Sequence, residues 1–375
     1  MSGSDPSEQR VVDGTAWRDF CQALERAGQV ILEEGSPEDP FERAEGLRYL
    51  TRLTRAAFET FIEDCDPGAP EFLRTCNETV KMGADNPDNY YQNAPVSSRF
   101  RYRLRGTRGT VHYLGFATMA GNYGASGSMP PTGYLDDSQL VLDEKGGFEI
   151  ILSAERPEGA ANWLPLARDT KSLVIRQTFL DRKTEKRAQL DLMRIDEEGN
   201  VLDATPRSVS ARGVDRGLQA SAMFVEGCAK LFHKWARGFM QAPNTLPLFD
   251  SGEADQAGGV PHIAYFHGYW ELAPDEALVI DATPPDCDYW NFQLNNHWME
   301  SLDYRYFDVV INKHSAVTEA DGSVRVIIAH DDPGHPNWIE TCDHERGTMC
   351  WRWVRADERP EPQCRVVKLA ELTGG

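Results

Sequence analysis

Seven of the nine histidines of this sequence lie in its last third: His262, His267, His297, His314, His330, His335 and His344. An imidazole of ordinary pKa moves protons readily at neutral pH, so this concentration is where acid–base chemistry is expected. Three stretches carry the most suitable residues: Asn295 to Asp303, His330 to Trp338, and Thr341 to Gly347. Pro333, Gly334 and Pro336 stiffen the second, and a stiff loop holds an imidazole at a set angle. If these loops gather at one end of a sheet, His335 or His344 can act as general base, tuned by Glu300 or Asp343, with His297 beside them. His297 and Glu300 are three apart, which places them on one face of a helical turn but on opposite faces of a strand.

The same stretches supply ligand contacts. Trp298, Trp338 and Trp351 can form an apolar wall, and Asp303 and Asn337 can add polar contacts. Arg346 or Arg352 can clamp a carboxylate, sulfate or phosphate through the guanidinium fork. Trp351 and Trp353 alternate with Arg352, so both indoles share one face; that face is either packed in a core or lines a cavity. Earlier in the chain, Tyr90 and Tyr91 are placed to cover an interdomain cleft, and Arg176 and Asp181 can pair.

Other chemistries lack their signatures. There is neither a His-Glu-x-x-His run nor a His-x-His pair, so no metal and no cofactor are expected. The glycines of Gly121 to Ser128 miss the dinucleotide spacing and are read as a turned loop. Ser301 sits in no Gly-x-Ser-x-Gly elbow, and Cys342 is close to His344 in sequence only. None of the eight cysteines forms a Cys-x-x-Cys pair, and reduced thiols are the default reading.

The elements that must position these residues are mainly strands. A chain of 375 residues exceeds one ordinary core, so two domains are expected. Residues 1–12 read as loose. Apolar residues at helical spacing mark helices from Thr15 to about Glu33 and from Pro40 to Glu63, the latter capped by Asp39. The period then falls to two. Strands are expected at 99–105, 111–117, 139–142, 148–152, 173–179 and 188–195, in a meander. Arg99, Arg101, Arg103 and Arg105 form the wet face of the first. Asn162 to Pro165 reads as a rigid aromatic loop. A long helix, Val209 to Met240, is capped by Ser208 or Ser210. Seven short strands follow: 263–271, 277–280, 289–294, 307–312, 324–329, 350–354 and 365–369. The expected fold is therefore mainly β with helices (α+β), in four parts: an N-terminal helical segment (1–85), a first β-domain (86–205), a long connecting helix (206–245) and a C-terminal β-sandwich or jelly-roll-like domain (246–375). No internal repeat is clear enough to read.

The formal net charge is −20, which disfavours a phosphate backbone as partner, so nucleic acid is not expected. No run of apolar residues is long enough to span a membrane, and the start MSGSDPSEQR lacks a secretion signal. A cytoplasmic location is expected, with a homo-oligomer compatible with the sequence.

Several of these motifs together resemble the bacterial family known as domain of unknown function 1214. They are Tyr289-Trp290, the run Asn296 to Asp303, Ala320-Asp321-Gly322, and Pro333 to Trp338, completed by His344, Gly347 and Arg352. The resemblance is mainly to the C-terminal third, with echoes at Ala84 to Asp88 and Asn162 to Pro165. It implies a β-sandwich or jelly-roll-like C-terminal domain beside a second β-domain. Members of that family often stand among bacterial genes for the breakdown of steroids and aromatic compounds, which implies a small hydrophobic substrate. The family pattern has glycine where this chain has Cys342 or Asp343, a departure that weighs against Asp343 as acid partner. The expected function is a cofactor-independent enzyme using histidine acid–base chemistry on a small apolar, aromatic or steroid-like metabolite, by hydrolysis, elimination or isomerisation. The alternatives are a noncatalytic binding protein for hydrophobic or carbohydrate ligands, and a structural partner subunit.

Overall fold

The computed structural model describes residues 5–372 except 127, 257, 260 and 261. Gly127 of the glycine-rich stretch and the first four residues of the N-terminus therefore lie outside the described residues. The helices are α1 (Pro6–Val12), α2 (Thr15–Val30), α3 (Pro40–Phe58), α4 (Tyr123–Ser126), α5 (Ala211–Phe239), α6 (Ser251–Gln256) and α7 (Leu369–Leu372), with a π-helical turn at Glu59–Glu63. The segment after residue 5 is not loose. Asp5 caps α1, and Arg10 reaches Asp215 on α5 at 3.0 Å.

The caps of the other long helices follow from their chemistry. The Asp39 carboxylate accepts from Glu42 N ahead of Pro40, and Ser210 rather than Ser208 accepts from Gly213 N. The buried stripe of α5 includes Leu218, Phe224, Val225, Cys228 and Phe232. It packs on α2, α3 and the aromatic residues beneath them.

Strands make up the rest. The first half contains β1 (Asn89–Pro95), β2 (Arg101–Thr107), β3 (Tyr113–Ala120), β4 (Pro131–Asp136), β5 (Gly147–Ser153), β6 (Asn162–Pro165), β7 (Thr170–Thr178) and β8 (Gln189–Ile195). The second contains β9 (Ile263–Glu271), β10 (Glu276–Ala282), β11 (Tyr289–Leu294), β12 (Val310–Asn312), β13 (Val324–Ala329), β14 (Trp338–Glu340), β15 (Arg346–Val354) and β16 (Gln363–Lys368). Each half forms a sandwich of two four-stranded sheets. The first pairs β1-β7-β3-β4 with β6-β5-β2-β8, and the second pairs β12-β11-β15-β9 with β14-β13-β10-β16. The architecture is thus mainly β with helices, as the sequence pattern implies.

Several expected elements differ. The strand at 139–142 is absent; that stretch is turn and coil, and the strand lies at Pro131–Asp136. Its residues mix Pro, Gly and Asp with Tyr and Leu, which hides the alternation. The expected rigid loop Asn162 to Pro165 is β6, paired in parallel with β5. That parallel pair and the crossing order of β7 and β3 replace the expected meander.

The two halves also repeat one topology, which the sequence does not display. Taking β1 to β8 in order onto β9 to β16 reproduces every strand pairing, including the parallel pairs β5–β6 and β13–β14. Equivalent side chains do equivalent work. The Asn162 side chain accepts from Val141 N and donates to Val141 O and Glu149 O, while Asn337 accepts from Val317 N and donates to Val317 O and Arg325 O. The hairpin turns before β5 and β13 place Gly146 (φ 76°) and Gly322 (φ 84°) at matching left-handed positions.

In each sandwich one residue parity fills the core. Leu114, Phe116, Leu173 and Ile175 pack inside the first; Phe266, Trp290, Phe292, Trp351 and Trp353 pack inside the second. The opposite parity of β1, β3 and β7, and of β9, β11 and β15, faces away from both cores and into the space where the two halves meet.

Candidate functional site

The expected catalytic residues do not meet at one hollow. His335 lies on the loop before β14, where its Nδ1 accepts from Asn337 N at 3.1 Å and its Nε2 stands 4.0 Å from Glu319. His297, Glu300 and His344 do gather, but beneath α3. His344 Nδ1 lies 2.8 Å from Glu42 Oε1, so the acid partner comes from a helix that the loop sequence does not reveal. Glu300 accepts from Arg52 at 2.7 Å and from Asn296 at 3.0 Å. His297 is enclosed between Tyr269 OH (3.0 Å) and His233 Nδ1 (3.2 Å), and burial pushes its pKa down to about 3. These three side chains are almost fully buried. They bind the N-terminal helices to the second sandwich and are not among the residues lining the cavity between the sandwiches.

Most expected ligand contacts are likewise structural. The Trp298 indole is buried and donates to Glu42 O, and Trp351 stacks on Trp290 at 5.1 Å inside the second core. Trp338 donates to Ala329 O, and Asn337 is the strand clamp described above. Asp303 pairs with Arg305, and Arg346 pairs with Glu271 and Glu345 at the surface. The Tyr90 ring lies between the guanidinium groups of Arg74 and Arg187, at 4.2 and 4.1 Å. Arg176 and Asp181 do not pair; Asp181 holds Thr184 and Lys183 N. Among the residues singled out in the sequence for ligand contact, Arg352 and Tyr91 face a large cavity.

That cavity, of about 600 Å³, lies between the two sandwiches and is roofed by the π-helical turn, α4 and α5. Its walls carry Tyr91, Tyr113, Tyr123, Tyr265 and Tyr289, with Phe61, Phe224, Trp235 and Phe249 above them. The volume and the aromatic lining are those of a small-molecule site. Two close backbone approaches shape the roof. A Cβ on Gly227 of α5 would come within 2.5 Å of Gly124 Cα, so glycine at both positions lets α4 seat Tyr123 over the hollow.

Two arginines enter from the walls. Arg176 donates to Gly258 O at 2.8 Å. Arg352 donates to Asn291 Oδ1 at 3.2 Å, to Gln293 Oε1 at 2.5 Å and to Ala84 O. All of these acceptors are neutral, and neither guanidinium forms an ion pair among the described residues. Arg352 is buried and Arg176 half-buried; a buried cation is ordinarily matched by a direct anion partner, whereas Arg352 has only the more distant electrostatic influence of Asp85 and Asp88. Arg99 and Lys171 add positive charge to the lining, against Asp64 and Asp85. Asp85 is committed to Ser301, accepting from its N–H at 3.0 Å and its hydroxyl at 2.9 Å.

The lining is poor in proton carriers for neutral pH. Burial lifts the Tyr91 and Tyr113 phenols to about 12. It raises the Cys76 thiol and lowers His267 to about 3. His267 is the one histidine among the lining residues, stacked between Phe239 and Tyr265 and held neutral. Among the described residues no group of three or more His, Cys, Asp or Glu is placed to hold a metal ion.

A family model described as a protein of unknown function (DUF1214) matches residues 121–178 and 276–358, so it falls on both halves rather than mainly on the C-terminal third. An uncharacterised protein from Burkholderia cenocepacia is 49% identical over 97% of this chain and 99% of its own, with a TM-score of 0.93. This chain belongs to the family of that protein. The VPA0106 protein of Vibrio parahaemolyticus, 11% identical over 92% of this chain and 100% of its own, has a TM-score of 0.51 and shares the fold with the family. No curated protein matches.

The lining tyrosines other than Tyr91, and the role of Arg176, were not legible as a site. Each stands singly in a strand, and its neighbours in space come from strands distant in sequence. The available signal was parity: on β15 the partner of a core tryptophan must face the other way.

Proposed function

We propose that this protein binds a small, largely apolar organic anion, aromatic or polycyclic in its body, in the cavity between its two sandwiches. The observation that carries the reading is the aromatic-walled hollow of about 600 Å³ into which Arg176 and Arg352 project without a direct carboxylate partner among the described residues. An aromatic body would replace water against the tyrosine, phenylalanine and tryptophan walls. A carboxylate would complete the guanidinium pairing in a site of low dielectric, where such bonds are strongest. Arg99, Lys171, Arg176 and Arg352 outnumber Asp64 and Asp85 at the lining, a local excess of positive charge opposite in sign to the net charge of −20. The histidine acid–base reading has no support from this site, since His297, His335 and His344 are absent from it and His267 is held neutral.

Trp235 lines the cavity and reports on it. Titrating the protein with naphthoate is expected to change tryptophan emission and raise the unfolding temperature; the uncharged naphthamide is expected to bind about tenfold or more weakly. The emission change is expected to vanish in Trp235→Phe while the thermal shift remains. If naphthoate and its uncharged analogue both leave the unfolding temperature unmoved, the cavity is not a site for this class of ligand.

A further inference from the structure

The repeat of one topology extends into the cavity. On β7, Arg176 stands opposite Tyr91 of β1, and Thr178 stands opposite Tyr113 of β3. On β15, Arg352 stands opposite Tyr265 of β9, and Val354 stands opposite Tyr289 of β11. Residues directly opposite, or two apart along a strand, share a face. Each half therefore presents one arginine and two tyrosines on its inner sheet, at equivalent positions, and all six line the hollow.

The two sets are also placed reciprocally. Arg176 of the first half donates to Gly258 O, on the loop that leads into β9. Arg352 of the second half donates to Ala84 O, on the loop that leads into β1. The two acceptors hold equivalent places ahead of their strands, and both have left-handed backbones, with φ 81° at Gly258 and 55° at Ala84. His112, just before Tyr113, meets the carbonyl of Asp288, just before Tyr289, at 2.8 Å. Contacts in which i meets j′ while j meets i′, and in which a residue meets its own counterpart, define a two-fold relation.

We infer that the cavity is a two-station site for a dianion: a molecule with an apolar aromatic middle and a carboxylate at each of two ends, one end per arginine–tyrosine station. This deepens the ligand reading above and rests on it. Two guanidinium groups without direct carboxylate partners among the described residues are matched by two negative charges rather than one. In both halves the tyrosine faces beside the arginine, Tyr91 and Tyr113 in the first and Tyr265 and Tyr289 in the second, form the wall against which the aromatic body lies. The two acids of the ligand then lie on either side of the dyad, as the reciprocal contacts of Arg176 and Arg352 do.

The test is calorimetric titration of the full chain with benzene, naphthalene and biphenyl dicarboxylates bearing acids at opposite ends, each beside its monomethyl ester. One dicarboxylate is expected to bind about 10- to 100-fold more tightly than its monoester, with an optimum length in the series. Arg176→Gln and Arg352→Gln are each expected to erase that advantage. Either single change should lower monoester affinity only modestly, because one station remains, and the double change should abolish it. If Arg352→Gln does not fold, Arg352→Lys, which keeps the charge and loses the fork, is read for a partial loss of the same advantage. Dicarboxylates no tighter than monoesters at any length, or an advantage that only one arginine controls, overturn the two-station inference while leaving simple anion binding intact. Absence of binding by every acid in the series would instead sink the ligand reading itself.

Discussion

Replacing Arg52 by methionine removes the cation that faces Glu300 beneath α3. The pair is separated by 2.7 Å, with side-chain exposures of 14% for Arg52 and 1% for Glu300. Burial already raises the Glu300 pKa above its ordinary value, and Arg52 is the main influence that restrains the rise. A carboxyl whose folded pKa is raised holds its proton more tightly when folded. Its contribution to stability is full below the ordinary carboxylate pKa of about 4.3 and is lost as pH rises towards the folded value. Without Arg52 the folded value climbs further, so the loss extends towards neutral pH. At about 1.4 kcal/mol per unit, the three units between pH 4.5 and 7.5 set a ceiling of about 4 kcal/mol, reduced by whatever the wild type itself loses over that window; breaking a buried pair costs about 3–5 kcal/mol. Urea unfolding at the two pH values, followed by circular dichroism, is expected to show a small cost for Arg52→Met in acid and the large one near neutrality. Adding Glu300→Gln should recover most of the neutral-pH loss, because the amide needs no counter-charge. Equal costs at both pH values, or a double variant no more stable than the single one, would refute the argument that an uncompensated carboxylate is responsible.

Two further perturbations follow from the packing. His267 is held down to about 3, so wild-type stability should fall by up to about 1.4 kcal/mol per pH unit on acidification from 6.5, where the unfolded imidazole begins to charge and the folded one does not. His267→Phe keeps the stack on Phe239 and Tyr265 and should make that slope shallower by the same amount; parallel slopes would show that this ring is not the cause. At Gly46 of α3, a Cβ would come within 2.7 Å of the Trp298 ring and 2.9 Å of Ile31. Gly46→Ala is therefore expected to cost about 1–3 kcal/mol in urea unfolding, and an unchanged midpoint would mean that α3 can ride up on its neighbours.

The parts of the fold that were legible are those where local chemistry and pattern agree. Asp39 with Pro40 starts α3, Ser210 starts α5, and Ile263 to Glu271 and Tyr289 to Leu294 form strands at the expected residues. The candidate site was less legible because β15 is buried on both faces. Polar alternation then gives no sign of which face meets a core, and Trp351 was as eligible for the cavity as Arg352. The histidine loops misled for a related reason. A buried imidazole needs a partner wherever it lies, and those of His344 and His297 come from α3, α5 and β9, far away in sequence. The repeat escaped notice because it is carried by pairing and register, with few residues shared, such as Asn162 with Asn337, Tyr113 with Tyr289, and Arg176 with Arg352.

Because Arg176 completes its hydrogen bonding on the loop entering β9, and Arg352 on the loop entering β1, neither sandwich owns a finished anchoring point. The hollow is then complete only where both halves meet. A molecule seated there would act as a clasp. Its stabilisation, about 2.7 kcal/mol at a hundredfold excess over Kd, would fall on the seam between the halves and leave the inside of each one untouched. Amide hydrogen exchange along that seam would slow in proportion, while the outer sheets would keep their native pace.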